Sequence, residues 1–144
     1  MHITQIKSND ELYNQLQEKC QLYVWRYFKL NEPQNFLIEE NKSVSLVLLD
    51  NENIIGSVML TPETANIVRF RIVFVIPSYQ RKGLGRKLMY AAEKEAKYLG
   101  FKEISLISPE ENFSFYLELG YLVNGCWWND KNTKLKTILL KKYI

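Results

Sequence analysis

Residues 73–86 read VFVIPSYQRKGLGR, and this stretch decides the fold. An apolar run ends at Pro77, and the loop that follows carries Gly83 and Gly85 before apolar residues recur at helical spacing. The pattern predicts a buried strand, a tight loop and a helix. The first turn of a helix exposes unpaired N–H groups with a partial positive charge, and glycines let an anion approach them closely. The sequence therefore predicts an anion site at this loop.

Basic residues are concentrated around the loop. The chain carries a net charge of +3, yet residues 64–92 contain no Asp or Glu. The basic residues in this segment are Arg69, Arg71, Arg81, Lys82, Arg86 and Lys87. A solvated basic face with an acidic partner elsewhere in the fold is the simplest alternative to an anion site. Nucleic-acid binding is a further alternative, although bases confined to one segment are a weak sign of it.

Two well-known phosphate motifs do not fit this loop. A P-loop needs Gly-Lys-Ser/Thr after its second glycine, whereas Gly85 is followed by Arg86 and Lys87. A dinucleotide-binding fingerprint needs a third glycine, and Leu88 occupies that place.

The apolar periodicity of the remaining chain predicts a mixed α/β (α+β) fold, with residues 1–144 forming one domain. Strands are expected at 2–7, 44–49, 54–60, 67–76, 104–107, 121–128 and 134–142, and helices at 11–30, 34–40, 84–99 and 109–119. Gly100 and Gly120 are expected to end the last two helices, Gly100 at a position that needs a left-handed conformation.

Composition excludes several classes of protein. The longest apolar run, residues 72–76, is far shorter than the ~20 residues that span a bilayer, and the charged N-terminal residues do not resemble a signal peptide. We therefore expect a cytoplasmic protein without a membrane partner. The only histidine is His2, so serine and cysteine hydrolase triads and zinc-hydrolase sites are not expected. Cys20 and Cys126 form no metal-binding pair, and we expect no metal and two ordinary packing residues.

Two segments resemble the signatures of one family. Residues 73–85 closely resemble the acyl-coenzyme A signature of the GNAT superfamily of N-acetyltransferases, whose core reads V-x-P-x-Y-[QR]-x-x-G-x-[GA] before a helix. Residues 115–121, FYLELGY, resemble the second hallmark of that family, F-Y-x-x-x-G-[FY]. The resemblance implies a single-domain acyl-CoA N-acyltransferase fold, with a mixed, mostly antiparallel central sheet flanked by helices. It also implies acetyl-coenzyme A as the co-substrate and a primary amine as the acceptor, acetylated by direct attack in a ternary complex.

The resemblance assigns roles to individual residues. The N–H of Val73 would face the thioester oxygen, and the hydroxyl of Tyr116 would protonate the departing thiolate, with a core aromatic as the alternative interpretation of Tyr116. The backbone from Gln80 to Arg86 would hold the pyrophosphate. The coenzyme-binding set predicted in this way is Val73, Val75, Gln80, Arg81, Lys82, Gly83, Leu84, Gly85, Arg86 and Asn112.

Two positions depart from the family pattern. Arg69 stands where many members carry a glutamate that serves as the base, and a cation cannot accept the proton of the ammonium. Pro109 replaces an asparagine, and Asn112 can substitute for it only if the local geometry differs. The base is therefore unassigned, with Glu63, a carboxylate from residues 32–40 or a water chain as equal alternatives.

The resemblance implies an acceptor site between the first helices and the final hairpin. The aromatic residues offered there are Tyr23, Trp25, Tyr27, Phe28, Trp127 and Trp128, although core packing is the better explanation of most of them. A small-molecule amine, a peptide N-terminus and a lysine side chain all stay open as acceptors. We expect no nucleic-acid partner and a monomer or homodimer. The alternative function is a non-catalytic acyl-CoA binder or sensor of the same fold, for which Arg69 is the motivating feature.

Overall fold

A computed structural model describes residues 1–7, 10–20, 22–23, 43–131 and 134–144. In chain order the elements are β1 (His2–Ile6), α1 (Leu12–Cys20), β2 (Val44–Asp50), β3 (Asn53–Pro62), β4 (Ile67–Val75), α2 (Leu84–Tyr98), β5 (Glu103–Pro109), α3 (Phe113–Glu118), β6 (Leu122–Val123), β7 (Trp128–Asn129) and β8 (Lys136–Tyr143). Short 3₁₀ turns at Pro77–Tyr79 and Glu110–Asn112 lead into α2 and α3.

The strands form one eight-stranded sheet in the order β1-β2-β3-β4-β5-β8-β6, with β7 also paired to β8. The β4–β5 pair is parallel and the other pairs are antiparallel. This arrangement confirms the predicted fold class, a mixed and mostly antiparallel sheet flanked by helices.

Helices α1 and α2 cover opposite faces of the sheet. Leu88 of α2 lies 3.4 Å from the place where a Cβ on Gly56 would stand. The next residue along β3, Ser57, is paired with Phe74, on which Tyr23, just after α1, stacks with ring centroids 6.2 Å apart. Neighbouring residues of a strand point to opposite faces, so the two helices are on opposite sides.

The apolar core forms on both faces. Buried residues of α1 are Tyr13, Leu16 and Cys20, and those of α2 are Leu88, Met89, Ala92 and Ala96. Burial raises the pKa of the Cys20 thiol to about 12, so this thiol stays protonated and packs as an apolar group. Cys126 is exposed, and the expectation that both cysteines pack in the core is wrong for this one.

Several predicted boundaries change in the structure. The helix expected at 109–119 begins as a 3₁₀ turn, and only Phe113–Glu118 is α-helical. The strand expected at 121–128 is divided into β6 and β7 around Gly125, whose φ of +149° interrupts the extended backbone. The helices expected beyond Tyr23 and at 34–40 lie outside the described residues. None of the described helices is long and apolar enough to cross a membrane.

A polar cluster joins α2, β8 and the turn after α3. Lys142 Nζ lies 3.0 Å from Glu93 Oε1 and donates to the carbonyl of Leu119 at 2.7 Å. The hydroxyl of Tyr121 donates to Glu93 Oε2 at 2.8 Å. Burial, and then the charge and hydrogen bond of Glu93, raise the pKa of Tyr121, which therefore stays a hydrogen-bond donor.

Removal of Glu93 should destabilise the fold. Glu93→Ala leaves Lys142 and the buried Tyr121 hydroxyl without their shared acceptor, which we expect to lower the free energy of unfolding by about 1–3 kcal/mol. The control is Glu110→Ala, since Glu110 and Lys136 form a pair at 3.3 Å with side chains 63% and 50% exposed. Exposed pairs contribute about 0–1 kcal/mol. Urea denaturation of both variants measures the difference, and equal losses would contradict this role of the cluster.

Candidate functional site

A cleft of about 690 Å³ opens between the end of β4, the loop before α2 and the start of α3. Its lining residues are Leu22, Tyr23, Val73, Phe74, Val75, Pro77, Gln80, Arg81, Gly83, Leu84, Gly85, Arg86, Leu88, Glu111, Asn112, Phe115 and Tyr116. The cleft therefore combines a strand edge, a glycine-containing loop, two arginines and two tyrosines.

The cleft exists because β4 and β5 are paired only at one end. Their parallel register covers Ile67–Arg69 against Glu103–Ser105. Further along β4, the residues Val73–Val75 line the cleft. The two strands diverge beyond this register, and backbone groups in the middle of the sheet become accessible to a ligand.

A β-bulge reshapes β4 at the same point. Ser57 is paired with Phe74 and Met59 with Arg71, so β4 has one residue more than β3 in this interval. Within it, Ile72 has a φ of +53°, a strained conformation for a β-branched residue. The Ser57 hydroxyl donates to the Ile72 carbonyl at 2.8 Å and so holds this conformation. The bulge changes the direction of the backbone immediately before Val73.

The loop before α2 presents the helix N-terminus to the cleft. Gly83 caps α2 with a φ of +76°, and Arg81 is also left-handed at +62°. A Cβ on Gly85 would lie 3.4 Å from Cζ of Phe115 and 3.9 Å from a methyl group of Val75, so any side chain there would enter the space between loop and α3. The first turn of α2 contains no acidic residue that would oppose an anion.

Side chains on either side of the loop fix its position. The hydroxyl of Tyr79 donates to Asp50 Oδ2 at the end of β2. The side-chain amide of Gln80 donates to the Val75 carbonyl at 2.8 Å. Lys82 Nζ lies over the ring of Tyr79, 5.5 Å from its centroid. Tyr79 is therefore engaged in the fold and is not an exposed aromatic of the kind that nucleic-acid binding next to this loop would need.

Tyr116 lies on α3 with its side chain buried at the wall of the cleft. Its ring makes edge contacts with Phe115 and Tyr121, at centroid distances of 5.2 and 5.8 Å. Burial raises the pKa of the Tyr116 hydroxyl above its ordinary value. The phenol is therefore protonated at neutral pH and can act as a hydrogen-bond or proton donor.

All residues of the predicted coenzyme-binding set except Lys82 line the cleft, together with Tyr116. Lys82 is engaged with Tyr79 instead. Asn112 reaches the cleft from the 3₁₀ turn before α3. Their chemical roles stay predictions.

The described aromatic residues predicted for the acceptor site do not all lie at the cleft. Tyr23 lines the cleft, stacked on Phe74. Trp127 packs against Phe113 at 5.0 Å with Lys136 over its ring, and Trp128 lies on β7, both away from the cleft lining. Trp25, Tyr27 and Phe28 lie outside the described residues.

The described candidate for the base, Glu63, does not lie at the cleft. The guanidinium of Arg69 forms an ion pair with Glu63 and donates to the Ser105 hydroxyl at 3.4 Å, and neither member of the pair lines the cleft. Residues 32–40 lie outside the described part of the chain. Glu111, which the sequence analysis did not single out, does line the cleft. Among the described residues no cluster of His, Cys, Asp and Glu is suited to hold a metal ion.

Comparison with known proteins shows which family the chain resembles. Residues 9–121 match the acetyltransferase (GNAT) family. The chain is 30% identical to the uncharacterized N-acetyltransferase YhfO of Bacillus subtilis (strain 168) over 137 residues, covering 84% of this chain and 89% of that protein.

Solved structures share the fold. An aminoglycoside 6'-N-acetyltransferase complexed with coenzyme A superposes with a TM-score of 0.83 at 18% identity, covering 99% of this chain and 97% of the other. The aminoglycoside 6'-N-acetyltransferase from Enterococcus faecium gives a TM-score of 0.81 at the same identity and coverage. The sequence matches confirm the resemblance seen in the two motifs, and the chain therefore belongs to the acetyltransferase (GNAT) family and is an N-acyltransferase with acetyl-coenzyme A as its co-substrate.

Proposed function

We propose that the protein transfers the acetyl group of acetyl-coenzyme A directly to a primary amine of a small molecule or peptide, within a ternary complex. The observation that carries this proposal is that one cleft joins a glycine-capped helix N-terminus, the open edge of β4 and a buried phenol. We also infer that residues 1–144 act as one domain. The support is that β1 and β8, near the two ends of the chain, belong to the same sheet.

The loop and the strand edge are suited to the two halves of the coenzyme. Backbone N–H groups from Gln80 to Arg86 bind the pyrophosphate at the N-terminus of α2, with Arg81 and Arg86 supplying positive charge. The pantetheine arm then follows the edge of Val73–Val75, and Asn112 offers an amide from the opposite wall. This course brings the thioester to the bulge in β4.

The reaction is an acyl transfer through a tetrahedral intermediate. The amine nitrogen attacks the thioester carbon, a C–N bond forms, and the N–H of Val73 stabilises the oxyanion because its dipole is fixed in place before charge develops. The C–S bond then breaks, and the coenzyme thiolate takes a proton from Tyr116. Tyr116 regains that proton through water from the ammonium group. A water chain serves as the base because the carboxylate of Glu63 is paired with Arg69, which stands four residues, or roughly 13 Å along the strand, before Val73, and neither residue lines the cleft.

The acceptor approaches on the face of the sheet where Tyr23 stacks on Phe74. Phosphates at the N-terminus of α2 occupy the other face, so the amine reaches the thioester from the side of α1. Stacked aromatic rings favour a flat, apolar or cationic amine. A panel of amines, polyamines, amino acids, peptides and aminoglycosides, with release of free thiol as the readout, tests the function. Absence of turnover with every class, despite binding of acetyl-coenzyme A, would argue against it.

The glycine that caps α2 should be essential for coenzyme binding. Gly83 and Gly100 both have positive φ, and a Cβ at either position would meet open space, so Gly83→Val and Gly100→Val impose a similar backbone strain. Only Gly83 lies at the cleft. We therefore expect calorimetric titration to show a Kd for acetyl-coenzyme A raised at least about tenfold, or no binding, in Gly83→Val, and an unchanged Kd in Gly100→Val. Equal affinities in the two variants would remove the loop from the site.

Arg81 should bind a phosphate of the coenzyme. Arg81→Glu reverses a charge on the cleft wall and should weaken coenzyme A by roughly tenfold or more, while pantetheine, which has no phosphate, should lose much less. Lys87→Glu makes the same change of charge on α2 at a residue that does not line the cleft, so its effect on coenzyme A should be smaller. Binding constants for both ligands decide the matter, and equal losses for coenzyme A and pantetheine would count against a phosphate contact.

Tyr116 should act as the general acid. Tyr116→Phe removes only the hydroxyl, so kcat should fall by ~10²–10⁴-fold while the Kd for acetyl-coenzyme A changes little. The raised pKa means that the acid stays protonated across the neutral range, so the wild-type pH profile of kcat should show no loss of Tyr116 protonation below pH ~10. The control is Tyr98→Phe, which should keep full activity because Tyr98 is exposed and is the last residue of α2, at the end away from the cleft. An unchanged kcat in Tyr116→Phe with a verified acceptor would assign the proton transfer to water.

A further inference from the structure

Asp50 and Tyr79 form a hydrogen bond outside the cleft that links two distant parts of the chain. Asp50 is the last residue of β2, and Tyr79 ends the 3₁₀ turn that leads into the loop before α2. The phenol donates to Asp50 Oδ2, and both side chains are half-buried. Hydrogen bonding to Asp50, with smaller contributions from burial and the carboxylate charge, raises the pKa of Tyr79. The phenol therefore stays a donor at neutral pH.

Asp50 stands on a firmly held hairpin. It is paired with Asn53 across the tight β2–β3 turn, in which Asn51 adopts a φ of +56°. Gln15 of α1 binds the same turn twice: its Oε1 accepts from the N–H of Ile54 at 2.5 Å, and its amide donates to the Glu52 carbonyl at 2.9 Å. The carboxylate of Asp50 is therefore fixed relative to the sheet and to α1.

The loop on the other side of this bond has few such constraints. Gln80, Arg81, Lys82 and Gly83 are all exposed, and two of them have positive φ. A Cβ on Gly83 would meet no atom within 4 Å, so packing does not restrict the backbone there. The side chains that tie this segment to the sheet are those of Tyr79 and Gln80, the latter through the carbonyl of Val75.

We infer that Asp50 and Tyr79 are positioning residues that hold the loop in its anion-binding conformation before the coenzyme arrives. This inference rests on the proposed function, in which the loop binds the pyrophosphate. Neither residue lines the cleft, so the pair acts through the backbone of residues 80–86. Without the bond, the loop populates other conformations. Ordering the loop then costs free energy when the coenzyme binds, and the affinity is weaker by that amount. Lys82 stacks on the ring of Tyr79, so its ammonium group is placed by the same anchor.

The inference predicts a loss specific to ligands that carry the pyrophosphate. Asp50→Ala and Tyr79→Phe should each raise the Kd for coenzyme A by roughly 3- to 30-fold, the range expected when a hydrogen bond to a charged acceptor is lost at a partly exposed site. The Kd for pantetheine should not change. Because the two residues act through one bond, the double variant should lose no more affinity than the more affected single variant.

Two further variants separate positioning from a general effect on the hairpin. Asp50→Asn keeps a side-chain oxygen that can accept from Tyr79, so it should recover most of the affinity that Asp50→Ala loses. Glu52→Ala removes a carboxylate from the same turn but leaves the backbone carbonyl that Gln15 binds, and it should leave the affinity unchanged. In the free protein, Tyr79→Phe should also increase amide hydrogen exchange at Gly83, Leu84 and Gly85 by more than any fall in global stability, measured by urea denaturation, accounts for.

Each outcome of the calorimetric experiment decides something. A selective loss of coenzyme A affinity, rescued in Asp50→Asn and non-multiplicative in the double variant, supports the inference. Equal losses for coenzyme A and pantetheine, multiplicative losses, or unchanged affinity in both single variants would overturn it. If the wild-type protein binds pantetheine as tightly as coenzyme A, the loop is not a pyrophosphate site. That result contradicts the proposed function itself and therefore differs from a failure of the positioning pair alone.

Discussion

The early end of the hydrogen-bond ladder between β4 and β5 is the constraint on which the rest of the structure depends. Backbone N–H and C=O groups in the middle of a sheet are normally paired, and leaving them open costs free energy. Here the parallel pairing covers three residue pairs and then gives way to a cleft. The sheet tolerates this gap because β5 is paired with β8 along its whole length and β4 with β3 on its other side.

The direction in which β4 leaves the sheet is also fixed. The Ser57 hydroxyl, bonded to the carbonyl of Ile72, holds a strained bulge at the point where β4 leaves the sheet. Elements next to the cleft are then fixed from outside it: the loop before α2 by Asp50, and α3, through the turn that follows it, by Lys142 and Glu93. In the proposed mechanism, the residues that meet the coenzyme are thus supported by neighbours that do not touch it.

The sequence allowed much of this to be predicted where the signal was local. Strand β4, the loop and helix α2 followed from an apolar run, a proline, two glycines and helical spacing, and nearly all residues of the two family motifs that were singled out meet in the cleft. The bulge at Ile72 had no local signal, because β-branched residues rarely adopt a positive φ and the sequence therefore predicts an ordinary strand there. The bond between Asp50 and Tyr79 joins residues 29 positions apart and depends on the folded arrangement of two loops. Lys82, the neighbour of Arg81 in the sequence, lies over the ring of Tyr79 and outside the cleft lining, and no local pattern indicated that the two basic side chains would separate.

In the proposed mode of binding, the cleft beside β4 also links the stability of the enzyme to the concentration of acetyl-coenzyme A. A ligand that binds only the folded chain stabilises it by an amount that grows with the logarithm of its concentration, about 2.7 kcal/mol when the free ligand stands at 100 times its Kd. Acetyl-coenzyme A is such a ligand here. In the proposed mode of binding, a fall in its concentration empties the cleft, and the fraction of time for which β4 and the adjoining loop are open to proteases then increases. The lifetime of the protein, and not only its rate of turnover, would then follow the supply of its co-substrate.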